Sequence, residues 1–535
     1  MRVPVLIVGG GPAGLTSSIL LSRFGVRSLL VERHPSTSIH PKATAVSTRS
    51  MELFRSWGLE PRIRELELAV DFVSSVRSNL SGTELERRTL GFPTREEAKG
   101  FSPTSPALVA QDVLEPVLVE HARTYPNADI RFGMDVTELA QRDERVCATI
   151  VDRTTGERLA VEAQYVLAAD GASSSIRRRL GIATHGVERI GEYLSVLFRA
   201  DIAAILGDDL CGMYLLNGLG APIPSVALPT GRDGRWVLAT PWRSEARPID
   251  GMTTDDCVAL VRHAAGRGDL EVDVLDRQLV AIGAEVAERF RDGNVFLVGD
   301  SAHRTAPTGG TGMNTAIQSA HNLVWKLAAV INKVADPSLL DTYEPERRPS
   351  GERNLLRSKG ELQGVSGIAA DLGVVYASSA VVREHDGDVP AVIEPTADAI
   401  VGSRLPHVWL DADGVQVSTL DLVGFTPVLL TGARGDAWRS AARAVSATLG
   451  VSLGVTAIGV AELRDVSGEA VARLGIEADG ALLVRPDGHI AWRSRGAAAD
   501  STLVLEHAVA TMLGFDADDR AFFMALMAAS GRRCA

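Results

Sequence analysis

Cysteine is scarce in this chain, and its spacing shows no pairing motif. Only four cysteines occur among 535 residues, and no two of them form a CxxC or CxxxxC pair. This spacing argues against a dithiol redox centre and against a metal site built from thiolates. Few, unpaired cysteines fit a protein of the reducing cytoplasm. The four are Cys147, Cys211, Cys257 and Cys534.

Long apolar runs and an excess of positive charge are also missing. No run reaches about 18 apolar residues, so we expect no membrane-spanning helix, and the short apolar N-terminus predicts a first strand, not a signal peptide. Lysine and arginine number 55 against 67 aspartate and glutamate, which gives a net charge of −12. We therefore expect no nucleic-acid partner and no binding to an anionic membrane.

A glycine-rich turn near the N-terminus indicates a bound dinucleotide. Glycines with G-x-G-x-x-G spacing follow the apolar run 5–8 and precede a helical pattern. The first glycine permits a tight turn, the second lets the backbone approach a pyrophosphate, and the third packs helix against strand. The phosphates would lie at the helix N-terminus, where free N–H groups favour negative charge. The predicted contacts are Gly9, Gly11, Pro12, Ala13 and Gly14.

An acidic residue stands where the ribose of such a dinucleotide is bound. The apolar run Ser28–Val31 ends at Glu32, eighteen positions after Gly14. A carboxylate at this distance is expected to accept hydrogen bonds from the ribose hydroxyls. An ordinary surface carboxylate is the alternative interpretation of Glu32. The turn and the acid together favour a nucleotide site but do not separate NAD from FAD.

Two later segments repeat a strand followed by an acid, and they favour FAD. The apolar run Tyr165–Ala169 precedes Asp170, and Val295–Gly299 precedes Asp300. A carboxylate at the carboxyl end of a strand faces the ligand crevice of an open α/β sheet. Asp300 is therefore expected to accept hydrogen bonds from the ribityl hydroxyls of a flavin.

A glycine-rich segment from Pro307 to Asn314, here called the flavin loop, leads from Asp300 into a helical pattern. We expect its backbone N–H groups to bind the pyrimidine edge of the flavin and to stabilise negative charge on the reduced ring. The candidate contacts are Pro307, Gly310, Gly312, Met313 and Asn314.

As a set, these segments resemble the aromatic-hydroxylase class of single-component flavoprotein monooxygenases. The resemblance is closest to the bacterial branch that modifies polyketides and other natural products, and phenol hydroxylases are more distant relatives. The matching segments run in family order from the start of the chain to about residue 350. Besides the segments above they are Arg49–Phe54, Gln111 with Leu114-Glu115, Leu323–Ala328, Tyr343-Glu344 and Glu346–Pro349.

The resemblance implies non-covalent FAD, NAD(P)H as a transient reductant and dioxygen as a co-substrate. An aromatic substrate would be hydroxylated through a flavin C4a-hydroperoxide. The chain has no second dinucleotide fingerprint, which fits a flavin that moves to meet NADPH at a surface groove. Asp170 would then serve both nucleotides.

Four further dinucleotide contacts are implied by the resemblance alone: Arg33, Lys42, Arg49 and Gln111. Lys42 stands where an arginine is usual, and lysine lacks the planar fork needed for a bidentate phosphate contact. A catalytic base is not identified by the sequence. His303 lies nearest to the flavin loop, although a scaffolding histidine is the favoured interpretation. Tyr193, Tyr214 and Arg243 are further candidates, in a region where aromatic side chains are more often core than substrate contacts.

The predicted fold class is α/β, and a chain of this length should hold about two to four domains. We predict a Rossmann-like FAD-binding domain, an inserted mixed or antiparallel β-sheet substrate domain, and a C-terminal thioredoxin-like α/β domain without redox cysteines. A single strand is expected over 129–137, and 183–285 reads as strand-rich. The predicted boundaries are 1–69, 106–182 and 286–350 for FAD; 70–105 and 183–285 for substrate; 351–395 for linking helices; and 396–535 for the C-terminal domain.

Two other functions remain open at this point. One is a flavoprotein of the same fold that catalyses a redox-neutral reaction, such as a cyclisation, with a structural FAD. The other is a non-catalytic ligand-binding protein. We expect an aromatic small molecule as the partner, no metal, and a monomer or homodimer.

Overall fold

The structure is a computed structural model of the chain that describes residues 1–207, 210–221, 223–245, 248–307, 309–384, 387, 389–395 and 399–515. Cys534 and the predicted end of the C-terminal domain lie outside the described residues. Strands and helices are numbered in chain order.

The first sheet is mostly parallel, with the order β14-β15-β8-β1-β2-β5 and the β6–β7 hairpin attached to β8. Its central strands are fully buried apolar runs, as expected for a sheet covered on both faces. The predicted single strand over 129–137 is wrong, because Gly133 (φ +74°) breaks it into β5 and β6. The strands are β1 (Arg2–Val8), β2 (Ser28–Glu32), β5 (Ala128–Phe132), β6 (Met134–Arg142), β7 (Arg145–Asp152), β8 (Arg158–Ala168), β14 (Arg291–Asp292) and β15 (Val295–Leu297).

The second sheet is mainly antiparallel, with the order β16-β13-β9-β12-β11-β10-β3-β4. The last strand of this sheet in chain order lies at His303-Arg304. It comes from a segment that was predicted to belong to the FAD-binding domain. The strands are β3 (Asp71–Arg77), β4 (Glu86–Thr89), β9 (Thr184–Arg199), β10 (Cys211–Leu216), β11 (Ser225–Pro229), β12 (Arg235–Trp242), β13 (Asp273–Ala287) and β16 (His303–Arg304).

Helices cover both sheets, and the longest helix within the region predicted to be strand-rich was not expected from the sequence. The segment Thr254–Ala265 lies in the region read as strand-rich, yet it begins with a capping box formed by Thr253 and Asp256 and ends at Gly266 in the left-handed region. The helices are α1 (Pro12–Arg23), α2 (Thr48–Ser56), α3 (Glu60–Leu66), α4 (Arg95–Lys99), α5 (Gln111–Arg123), α6 (Ser175–Arg179), α7 (Ala203–Leu206), α8 (Thr254–Ala265), α9 (Thr311–Ile331), α10 (Tyr343–Ser358), α11 (Gly367–Leu372), α12 (Asp436–Leu449), α13 (Ala470–Arg473) and α14 (Ser501–Met512).

The C-terminal part has a sheet of its own, with the order β20-β19-β21-β22. The β19–β20 pair is parallel and the other two pairs are antiparallel. A helix connects the parallel strands and another follows the hairpin, which is a thioredoxin-like arrangement. The predicted fold class is therefore confirmed. The strands are β17 (Trp409–Ala412), β18 (Val415–Ser418), β19 (Val428–Thr431), β20 (Gly454–Ala457), β21 (Ala481–Val484) and β22 (Ile490–Ser494).

A buried group of four charged side chains, here called the junction cluster, joins the C-terminal part to α9 and α10. It consists of Lys326, Glu346, Arg485 and Asp487. Arg485 donates to the two oxygens of Glu346 at 2.6 and 2.7 Å and to Asp487 at 2.6 Å. Lys326 donates to Glu346 at 2.7 Å. The four side chains are at most 2% exposed, so their charges are compensated by one another and not by water.

The carboxyl groups of the junction cluster stay ionised because of their partners. Burial disfavours the charged form of Glu346, but Arg485 and Lys326 outweigh it and hold its pKa well below the usual range. Arg485 likewise outweighs burial and lowers the pKa of Asp487. Asp487 also accepts hydrogen bonds from Asn322 and Trp325 of α9 at 3.2 and 3.1 Å. The hairpin is thereby fixed to the FAD-binding part of the chain.

Candidate functional site

The carboxyl ends of four adjacent parallel strands meet at one edge of the first sheet. Strands β15, β8, β1 and β2 are neighbours in that order. They lead respectively to Asp300, Asp170, Gly9 and Glu32. Segments almost 300 positions apart are thus brought together, and the predicted crevice is formed at the carboxyl ends of the strands.

The glycine turn has the geometry that a pyrophosphate site requires. An added Cβ at Gly9 (φ +113°) would lie 2.2 Å from the carbonyl oxygen of Ala169, and one at Gly14 would lie 1.9 Å from that of Gly9. A Cβ at Gly11 would meet nothing within 4 Å. Gly11 also precedes α1, whose N-terminus receives no side-chain cap. Open space beside uncapped N–H groups fits the phosphates of FAD.

Glu32 lies directly against this turn. One carboxylate oxygen accepts a hydrogen bond from the N–H of Gly10 at 2.7 Å, and the other accepts one from the N–H of His34 at 2.9 Å. The His34 ring lies 2.6 Å from the same second oxygen. The carboxylate is therefore oriented at the end of β2, and the oxygen that is bonded to Gly10 retains acceptor capacity for a ribose hydroxyl.

Asp170 is engaged within its own loop. Its two carboxylate oxygens accept hydrogen bonds from Ser174 Oγ at 2.6 Å and from the N–H of Ile176 at 3.1 Å. The side chain thus caps the short helix α6. A contact of Asp170 with FAD or NAD(P)H stays a prediction, and the cap is the role that the geometry shows.

Asp300 is exposed at the end of the turn after β15. Desolvation by neighbouring protein atoms raises the pKa of its carboxyl group, and the positive charges of Lys42 and Arg304 oppose this rise. Lys42 acts on the carboxyl of Glu115 as well. The lysine side chain is exposed, and its positive charge acts on two carboxyl groups at the predicted cofactor edge, those of Asp300 and Glu115.

The flavin loop is fixed by the side chain of Asn314. Its amide oxygen accepts the N–H of Ser47 at 2.8 Å, and its amide nitrogen donates to the carbonyls of Ala45 and Gly310 at 3.1 and 3.0 Å. Asn314 therefore shapes the loop, and any contact with the flavin would come from its backbone. Gly312 lies close to Asp300, because an added Cβ there would be 3.9 Å from the Asp300 carboxylate.

Two of the dinucleotide contacts implied by the resemblance have other partners. The Arg49 guanidinium donates to Glu52 at 2.8 Å and to the carbonyl of Asp487 in the C-terminal hairpin at 2.7 Å. This geometry favours a role in joining domains over a contact along FAD. Gln111 begins α5 and donates its side-chain amide to Glu115 at 2.6 Å. Arg33 is exposed, and its contact stays a prediction.

His303 is a scaffolding residue in this geometry. Its side chain is fully buried, and its Nε2 lies 3.0 Å from Ser319 Oγ. Burial, together with Arg347, lowers the pKa of His303 to about 3. An imidazole that is enclosed and neutral in this way is poorly placed to accept a proton from a substrate, so the structure counts against His303 as a general base.

The two tyrosine candidates, Tyr193 and Tyr214, lie on opposite faces of the second sheet. Tyr214 is fully buried on the outer face, among side chains of α8, and its hydroxyl accepts the N–H of Cys211 at 2.8 Å. Ser195 lies on the opposite, inner face, where its Oγ meets His40 of the FAD-binding part at 2.7 Å. Side chains alternate along a strand, so Tyr193 shares the inner face with Ser195. Tyr214 is therefore excluded as a substrate contact in this conformation, whereas Tyr193 and the exposed Arg243 stay candidates.

The middle of the inner face is apolar and partly open. This middle region consists of the paired segments 193–197, 213–215, 226–228 and 237–241 of β9, β10, β11 and β12. Its side chains on the inner face are aliphatic or aromatic, apart from Ser195. The partly exposed ones are Tyr193, Met213, Leu215, Val226, Leu228, Ala239 and Pro241.

Sequence reasoning missed the contacts that hold this face towards the FAD-binding part. The buried His40 ring bonds Asp276 Oδ2 at 2.9 Å through Nδ1 and Ser195 through Nε2. Arg235 of β12 donates to Asp112 of α5 at 2.8 Å. These pairs join residues that are more than 100 positions apart, so no local sequence pattern could have predicted them.

In the described part of the chain, no group of three histidine, cysteine, aspartate or glutamate side chains is arranged to hold a metal ion. No helix among the described residues has the length and apolar character of a membrane span.

A Rossmann-type sheet with a fitted dinucleotide turn, a second sheet above it and a thioredoxin-like end defines a flavin-dependent enzyme of the aromatic-hydroxylase architecture. Residues 2–358 match the FAD binding domain family, and residues 398–515 match the aromatic-ring hydroxylase C-terminal domain. The chain therefore belongs to the FAD-dependent aromatic-ring hydroxylases and is an aromatic monooxygenase with FAD as cofactor.

Similar proteins cover nearly the whole chain. A tetracenomycin B2 monooxygenase-dioxygenase of Streptomyces olivaceus is 37% identical and covers 96% of this chain and 99% of its own length. A 4-methyl-5-nitrocatechol 5-monooxygenase of a Burkholderia species is also 37% identical, with 96% and 98% covered. The crystal structure of aklavinone-11 hydroxylase with FAD and aklavinone has a TM-score of 0.86 at 33% identity and covers 96% of this chain and 99% of its own.

Purified protein is expected to be yellow, with one FAD per chain and no covalent link. Cys211 and Cys257 are buried in the cluster on the outer face of the second sheet, and no histidine is assigned as an attachment point. Acid precipitation should therefore leave the colour in the supernatant. Colour that remains with the precipitated protein would contradict this expectation.

Proposed function

We propose that the protein is an NAD(P)H-consuming monooxygenase that hydroxylates a polycyclic, polyketide-like aromatic substrate in natural-product biosynthesis. The observation that carries the proposal is the apolar inner face of the second sheet. A broad surface of uncharged side chains suits a flat multi-ring molecule, since pockets for such ligands are mainly apolar with few polar groups. The names of the tetracenomycin and aklavinone enzymes point to the same substrate class.

The site residues would divide the work between holding FAD and excluding water. The fingerprint turn would hold the pyrophosphate, Glu32 the adenosine ribose and Asp300 the ribityl chain. When bound, FAD would supply electrons from NAD(P)H and the activation of dioxygen. The inner face would orient the ring to be oxygenated and keep water away, because a wet site loses activated oxygen as peroxide.

A true substrate is expected to speed the reduction of the flavin by NADPH and to yield hydroxylated product in step with NADPH consumption. Ligand-gated reduction follows from a single fingerprint, which leaves NAD(P)H without a permanent site. The measurement compares NADPH oxidation, peroxide release and product mass over a panel of polycyclic phenols and quinones. A nitrocatechol in the panel represents the small substrates named for the Burkholderia relative.

A matched pair of variants tests the role of the inner face in the same assay. Leu228→Gln places an amide on this face, and Leu85→Gln changes a leucine that is 63% exposed. We expect about a tenfold rise in KM for Leu228→Gln alone, since covering a partly exposed leucine with an apolar substrate would contribute part of the roughly 1.5–3 kcal/mol of full burial. A tight ligand that is converted to an isomer of equal mass, without oxygen or NADPH, would contradict the monooxygenase proposal and support a redox-neutral reaction.

A further inference from the structure

Two residues outside the flavin loop, Phe92 and Arg357, lie against its backbone. Gly309 (φ +80°) and Gly310 (φ +60°) are both in the left-handed region. A Cβ added to Gly310 would lie 2.8 Å from Cζ of Phe92, and one added to Gly309 would lie 2.6 Å from Cζ of Arg357. The backbone of the loop therefore touches an aromatic ring on one side and a guanidinium on the other.

Phe92 belongs to the segment that leads from β4 of the second sheet. It is 9% exposed and packs in a small apolar cluster with Leu68, Phe72 and Leu108. Phe72 belongs to β3 of the second sheet, whereas Leu68 and Leu108 belong to the FAD-binding segments, so the ring lies where the second sheet meets the FAD-binding part. A displacement of this segment would be felt at Gly310, because glycine offers no side chain that yields in between.

Arg357 comes from the last turn of α10 and joins the two sides. Its Nη2 donates to the carbonyl of Gly91 at 2.7 Å, next to Phe92. Burial lowers the pKa of Arg357, and the more distant Asp371 opposes this effect. Among the described residues no carboxylate lies within ion-pair distance of its guanidinium. The hydrogen bond to Gly91 and the contact with Gly309 are therefore its principal interactions.

We propose that Phe92 and Arg357 are positioning residues that couple the substrate-binding sheet to the flavin loop. This inference rests on the proposed function and concerns the same site. The pair holds the backbone of the flavin loop, and the loop would hold the edge of bound FAD. Loosening of the pair would free the loop for the reduction of FAD by NAD(P)H. Gly312 and Asp300 lie directly beyond the gripped glycines, so a shift of the loop reaches the cofactor contacts.

The test uses the FAD-loaded full-length protein, four variants, and the conservative variant Arg357→Lys. Phe92→Leu and Arg357→Met weaken the grip. Phe198→Leu alters the separate cluster on the outer face of the second sheet, and Arg348→Met removes an arginine of the same helix as Arg357 that pairs with Glu344 at 2.7 Å. The first readout is the fluorescence and anisotropy of bound flavin, which report ring mobility without turnover. The second is the rate of flavin reduction by NADPH without substrate.

We expect FAD to remain bound in all four, since the fingerprint turn and Asp300 are unchanged. Phe92→Leu and Arg357→Met should increase flavin mobility and raise substrate-free reduction about tenfold, because small misplacements at a reacting centre have large kinetic effects. The two controls should match the wild type. Arg357→Lys, which keeps a donor for Gly91, should recover part of the wild-type mobility.

The proposal is overturned if Phe92→Leu and Arg357→Met retain wild-type flavin mobility, or if the controls change it equally. If Arg357→Met does not fold, Phe92→Leu and Arg357→Lys decide the outcome. Failure of the proposed function is distinguishable, since it appears as a wild-type flavin that NAD(P)H does not reduce with any ligand. Flavin mobility would still decide the role of the two residues in that case.

Discussion

Replacing Arg485 with methionine is expected to lower the free energy of unfolding by about 3–5 kcal/mol, because it leaves buried carboxylates without their main partner. Arg485 makes three hydrogen bonds of 2.6–2.7 Å to Glu346 and Asp487 in the junction cluster. Lys326 alone cannot neutralise both acids. Urea unfolding, followed by circular dichroism and tryptophan fluorescence, measures the loss.

A surface ion pair of the same domain provides the control. Arg464 pairs with Asp411 at 2.6 Å, but its side chain is 60% exposed, so Arg464→Met should leave the unfolding midpoint nearly unchanged. Adding Glu346→Gln to Arg485→Met should recover part of the loss, since it removes one of the stranded charges. An Arg485→Met protein as stable as the wild type would show that the junction cluster does not stabilise the fold.

Replacing Asp300 with alanine is expected to raise the Kd for FAD by about 10- to 100-fold. The carboxylate lies at the carboxyl end of β15, at the edge shared with the fingerprint turn. Each charge-assisted hydrogen bond that it would make to the ribityl chain is worth about 1.5–3 kcal/mol. Titration of the apoprotein with FAD, followed by flavin fluorescence, gives the affinity.

Asp421→Ala is the matched control for this measurement. Asp421 also accepts hydrogen bonds from an arginine, Arg55, at 2.9 and 3.0 Å. It lies in the C-terminal part and not at the edge of the first sheet. Its replacement should leave the affinity for FAD close to that of the wild type. Equal Kd values for the two variants would remove Asp300 from the cofactor site.

The meeting of the candidate cofactor segments at one edge of the first sheet was predictable from sequence, because its signals are local. The glycine spacing occupies about ten residues, and so does each apolar run that ends in an acid. Because the carboxyl ends of parallel strands meet at one edge of a sheet, these segments are expected to lie together. The steric demands at Gly9 and Gly14, and the open space at Gly11, agree with the roles expected from the spacing. The helix Thr254–Ala265 also had a local signal, in its capping box, and the strand-rich reading of its neighbours obscured it.

The partners of individual polar side chains were not predictable, because they come from distant segments. Asn314 bonds Ser47, which is 267 positions away, and Arg49 bonds Asp487, which is 438 positions away. The same limitation concealed the contacts of His40 with the second sheet. Asp170 is a different case. Its position at the end of a strand was predicted, but its carboxylate caps a helix, and the sequence did not indicate this role.

The junction cluster also constrains the order in which the chain can mature during its synthesis. Lys326 and Glu346 leave the ribosome well before their partner Arg485, which follows Glu346 by 139 positions. At roughly 5–20 residues per second, the interval is about 7–28 s. Over that time Lys326 and Glu346 have only each other as ionic partners, and Trp325 of α9 lacks its acceptor on Asp487. We therefore expect this junction to be completed only after the last hairpin has emerged.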